Sequence, residues 1–146
     1  MRSIPLAAAL VLTGCAMIGG GQEHDPNPAP AGWTADIRAV GDHGHSGFAI
    51  GTLVPPGATR VSVTLDGGSA GGVHPWYVHE GRCGEVGQRV GSPQEYTSLE
   101  PNARGDASAT ATISAPLDPD DPYSIQVHQD EDPETLVGCG DLVRSW

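Results

Sequence analysis

The chain is written in short runs of alternating apolar and polar residues, and nowhere does it sustain the period of an amphipathic helix. The cleanest run is Arg60 to Asp66, with Val61, Val63 and Leu65 on one face. Ala107 to Ser114 is similar: Ala107, Ala109, Ala111 and Ile113 oppose Ser108, Thr110 and Thr112. Thr34 to Val40, Gly47 to Leu53, Pro75 to Glu80, Tyr123 to His128 and Cys139 to Val143 are further strand candidates. Turn signals separate them, at Pro55-Pro56-Gly57, Asp66-Gly67-Gly68 and Asp118-Pro119-Asp120-Asp121-Pro122. Seven or eight such strands predict an all-β domain, a sandwich or barrel with Greek-key connections.

The first residues follow a different logic. Met1-Arg2-Ser3 is a charged start, Ile4 to Leu12 an apolar run, and Thr13-Gly14-Cys15 a set of small residues suited to cleavage, which together predict a secretion signal. The apolar run is far short of the roughly 20 residues that span a bilayer as a helix, so a removed leader is expected and not a retained anchor. Leu12-Thr13-Gly14-Cys15 also resembles the lipobox of bacterial lipoproteins, in which the cysteine thiol is acylated and becomes the new N-terminus. That resemblance implies a signal peptide at 1–14, a lipid anchor on Cys15 and a mature protein held at a membrane in the cell envelope, outside the cytoplasm. Residues 15–32, rich in Gly, Pro and Asn with little to bury, predict a flexible tether with His24 solvated. Residues 33–146 suit one β domain.

Charge narrows the partners. The sequence carries seven basic and 18 acidic residues for a net charge of −11, and losing Arg2 with the leader takes it to −12. Such a surface repels nucleic acid and anionic headgroups, so neither is an expected partner. Of the three cysteines, lipidation of Cys15 leaves Cys83 and Cys139 as an even pair in an oxidising compartment, where a disulfide is the natural outcome. A bridge across that separation is worth about 4 kcal/mol in the chain-entropy picture.

Candidate chemistry lies in the histidines. In His74-Pro75-Trp76-Tyr77-Val78-His79-Glu80, strand alternation sends Trp76 and Val78 to the core face and Tyr77 and His79 to the other. In Tyr123 to His128 the same rule turns Tyr123, Ile125 and Val127 inward and leaves His128 with the polar set. Two outward histidines near strand ends suit copper, for which neutral imidazole is a common ligand; two unrelated surface histidines are the plainer alternative. Gly41-Asp42-His43-Gly44-His45 predicts a solvated hairpin, two histidines by themselves being a weak metal site.

A family resemblance joins these pieces. Val73-His74-Pro75-Trp76-Tyr77-Val78-His79-Glu80 is similar to the copper-binding strand of the copper-zinc superoxide dismutases, whose pattern is His-Gly-Phe-His-Val-His-Glu. Cys83 follows as their first disulfide cysteine does, Val127-His128 matches the strand of their last copper histidine, and Val137-Gly138-Cys139-Gly140 matches the segment of the second cysteine. The resemblance runs from Thr34 to Val143. It implies a Greek-key β-barrel, a Cys83–Cys139 bridge, His79 and His128 as copper ligands, and His74 as a hydrogen-bonding residue beside them. Asp132 stands where the family has an aspartate linking its two metal sites.

The departures from the family pattern bear on function. Tyr77 occupies the place of the first copper histidine, and a phenol with a pKa of about 10 is a poor ligand unless the metal deprotonates it. The loop from Cys83 to Asp106 has no histidine to bridge two metals or to bind zinc, so copper is the one metal cofactor expected and zinc is not. Gln129 to Glu134 is acidic and Leu136 takes the place of the channel arginine, which disfavours superoxide approach. Three functions follow: a non-catalytic envelope domain, a copper-holding protein, or a copper-dependent dismutase. Val78-His79-Glu80-Gly81 would also fit a chordin-type domain, against which the two cysteines argue.

Overall fold

The alternation seen in the sequence becomes strand structure in a computed structural model that describes residues 32–42, 44–85, 87–130 and 134–145. Among them seven strands form: β1 (Gly32–Ala39), β2 (Ser46–Val54), β3 (Ala58–Asp66), β4 (Trp76–Glu80), β5 (Ala107–Ile113), β6 (Tyr123–His128) and β7 (Leu136–Arg144). A 3-10 turn, Pro93–Glu95, lies between β4 and β5. Neighbouring strands are antiparallel, in the order β4-β6-β7-β1-β2-β3-β5, within one sheet that curls into a half-barrel.

Burial follows the pleat. In β3, Val61, Val63 and Leu65 are buried while Arg60, Ser62, Thr64 and Asp66 are exposed, as period-2 geometry requires. β5 buries Ala111 and Ile113 and exposes Ser108, Thr110 and Thr112. Trp33 from β1, Trp76 from β4, Leu65, Ile113 and Ile125 are among the large side chains fully enclosed by the curl. Each contributes roughly 1.5–3 kcal/mol of apolar burial.

The connection from β4 to β5 does not run free over the surface. Glu80 N–H donates to Gln88 O (2.9 Å), Gly87 N–H to Glu80 O (2.7 Å) and Val90 N–H to Val78 O (2.8 Å), so this segment first lies along the edge of β4. Further on, the Trp76 indole donates to Thr97 O at 2.7 Å, and His74 and Leu99 exchange backbone bonds of 2.8 and 2.9 Å. The result is a strap along β4. It is stitched to β7 by the Cys83–Cys139 disulfide, whose Cα atoms are 6.0 Å apart.

The side of β6 opposite the core is not wet: Ser124 is 0% and Gln126 5% exposed. Cys15, the leader and the tether as far as residue 31 lie outside the described residues, as do His43, Asp132 and Trp146.

Candidate functional site

Strand register assembles the site. β4 pairs with β6 so that Tyr77 opposes Gln126 and His79 opposes Ser124, and β6 pairs with β7 so that Gln126 opposes Cys139 and Ser124 opposes Asp141. Opposed residues of an antiparallel pair share a face, so these side chains stand together on the side away from the core. His128 follows at the end of β6. Its register against β7 shifts after Val127, and its N–H donates to Pro75 O at 2.8 Å.

Three of the expected residues converge. The ring centres of His79 and His128 are 6.4 Å apart, those of Tyr77 and His128 5.8 Å, and those of Tyr77 and His79 6.4 Å. His79 Nδ1 lies 3.2 Å from Gly87 O. A carbonyl only accepts, so Nδ1 carries the proton and the lone pair is left on Nε2. That Nε2 is buried and has no hydrogen-bond partner among the described residues. His74 stands beside the group and does not join it: its Nδ1 donates to the main-chain oxygen of His128 at 3.1 Å.

The strap roofs one side of this triangle. Cys83 N–H donates to Asp141 Oδ1 at 2.7 Å, and Arg82 approaches the same carboxylate at 3.9 Å. The ion pair is solvent-exposed and adds little; the disulfide and the Cys83 N–H bond to the Asp141 carboxylate set the position. Past them the strap delivers Gly87 to His79 and places the Arg89 guanidinium 4.9 Å from the centre of the Tyr77 ring, within cation–π range. Tyr96 meets Tyr77 and Trp76 edge-on at 5.1 and 5.2 Å. Its hydroxyl donates to Val90 O at 2.6 Å, and burial pushes its pKa up to about 12, so it stays a neutral donor.

The sequence singled out Tyr77, His79, His128, His74 and the two strap-anchoring cysteines, and all six stand in or beside this group. Gly87, Arg89 and Tyr96 escaped notice because they sit in an aperiodic segment where nothing local marks a contact with β4. The chemistry available is two imidazoles and a phenol under one guanidinium. Among the described residues, no three His, Cys, Asp or Glu side chains converge as a metal-binding group. No protein-family profile matches the chain, and no curated protein matches it either.

Proposed function

We propose that this chain is a lipid-anchored envelope protein whose Greek-key β domain is of the superoxide dismutase type and does not turn over superoxide. The observation that carries the reading is the composition of the Tyr77–His79–His128 group. A phenol occupies one corner, so two imidazoles are left to hold a metal, and a stable Cu(II) geometry needs more nitrogen donors than that. The approach is also unsuited to an anion: Asp130 and Glu134 flank the end of β6, Leu136 opposes His128, and Arg89 is the nearby cation, already seated on Tyr77.

A second reading, copper holding, draws on the buried Nε2 of His79, which has no hydrogen-bond partner among the described residues, and on the 6.4 Å between the ring centres of His79 and His128. Two imidazoles opposed across one ion, each about 2 Å from it, set their ring centres roughly 6 Å apart. The spacing therefore fits a near-linear Cu(I) held by His79 and His128, with Tyr77 at its side. Copper so held would supply one-electron chemistry. The chain's own part is to fix His79 through Gly87 O and to shelter the pair beneath the strap.

Two measurements separate these readings. The purified, tag-free protein loaded with copper is expected to dismute superoxide no faster than free-copper controls; a rate well above them rejects the non-catalytic proposal. Cu(I) titration against a competing chelator is expected to show one equivalent that His79→Ala and His128→Ala each lose. Stoichiometric binding retained in both variants removes the copper reading.

A further inference from the structure

The turn between β1 and β2 is exposed at Gly41 and Asp42, as expected of a solvated hairpin, but not at His45. His45 is 7% exposed, and its N–H donates to Val137 O at 2.9 Å, the same carbonyl that accepts Val40 N–H at 3.0 Å. Both ends of the turn are thus pinched onto β7. Gly44 is needed there, because a Cβ at this position would run into Ala39. The sharp return carries His45 inward to His74, itself 6% exposed, and the two rings meet edge-on with centres 4.7 Å apart. Both line a polar cleft of about 260 Å³ together with Asp42, Ser69 and Gln129.

The tautomer of His74 is fixed. Its Nδ1 donates to His128 O, so the lone pair is on Nε2, which is buried and without a hydrogen-bond partner among the described residues. An imidazole oriented through one nitrogen by a backbone carbonyl, with the other nitrogen bare, is the usual posture of a metal-ligating histidine. We propose that His45 and His74 form a binding site for a divalent transition-metal ion, separate from the Tyr77–His79–His128 group.

The spacing distinguishes the two sites. Imidazoles converging on one ion at a near-tetrahedral or right angle, each about 2 Å from it, have ring centres about 5 Å apart. The 4.7 Å separation of His45 and His74 fits that angular geometry, whereas 6.4 Å between His79 and His128 fits an opposed one. Asp42 at the rim and the net charge of −11 favour a cation, and water completes the coordination. The site uses none of the Cys83 to Asp106 loop, so it is unlike the zinc site that the family resemblance would have supplied. It goes beyond the proposed function and does not depend on it.

Zn²⁺ is the probe. In competition with a chromophoric chelator, the protein is expected to bind one equivalent whose affinity falls at least tenfold in His45→Ala and is kept in His79→Ala. Imidazole ¹H–¹⁵N spectra of the unsubstituted protein should show the His74 Nε2 and His45 ring resonances moving as Zn²⁺ is added, a readout independent of whether the alanine variant folds. Affinity in a folded His45→Ala variant within twofold of the original overturns the proposal. So do His45 and His74 resonances that stay still at saturating Zn²⁺, including the case in which only those of His79 and His128 move, which would leave the copper reading standing.

Discussion

Replacing Tyr77 with histidine would put a third imidazole at a corner whose ring centre lies 5.8 and 6.4 Å from its two neighbours. Cu(II) affinity is expected to rise at least tenfold in Tyr77→His, because three nitrogen donors suit that ion where two do not; an unchanged dissociation constant would mean that the three positions do not share an ion. Glu95 offers a residue-scale test of stability. Hydrogen bonds from Ser114, and then from Ser92, hold its carboxyl below the ordinary value of 4.5. A lowered folded-state pKa contributes stability that is complete above the unfolded value and is lost as pH falls through the folded one. The Tm gap between the unsubstituted protein and Glu95→Gln should therefore be widest near neutral pH and close as the pH drops below 4.5; a gap constant from pH 7 to pH 3 contradicts this. The outward direction of Tyr77, His79 and His128 was legible because one residue's parity in a strand fixes its face. The inward direction of His45 was not, because a turn carries no such parity and Gly44 alone does not say which way it folds.

At the scale of elements, the strap is what converts one side of β4 and β6 into a site. Its bonds to β4 join main-chain pairs with the Trp76 indole and the His79 ring, and its tie to β7 is covalent. Removing the tie with the Cys83→Ala/Cys139→Ala pair is expected to cost about 4 kcal/mol of unfolding free energy, measured by chemical denaturation, from the freed chain entropy alone. A loss under about 1 kcal/mol would mean that β4 holds the strap without help. The strands themselves were readable to within a few residues from alternation and turn chemistry. The dryness of Ser124 and Gln126 was hidden, since strand alternation assigns a side chain to a face and does not say what covers that face.

The whole molecule shows the same division between local and distant information. An all-β class follows from short-range pattern, whereas the sheet order depends on which distant strands pair, β1 with β7 and β3 with β5, and composition does not encode that choice. The two cysteines were the exception, a long-range contact written in the residue types. The proposed anchoring is likewise a property of the entire chain: Cys15→Ala should move the protein from the detergent-soluble membrane fraction into the aqueous one, and continued membrane partitioning would show that something other than acylation holds it. Trp33 and Trp76, at 1% and 0% exposure, stand in strands at separate places in the sheet order. Each indole is a fluorophore shielded from solvent, so its emission will shift to the red when its own neighbourhood opens. With Trp146 and either one of these two replaced by phenylalanine, the remaining indole becomes a local gauge, and the order in which the two signals change during unfolding will tell whether the seam at β1 or the margin at β4 gives way first.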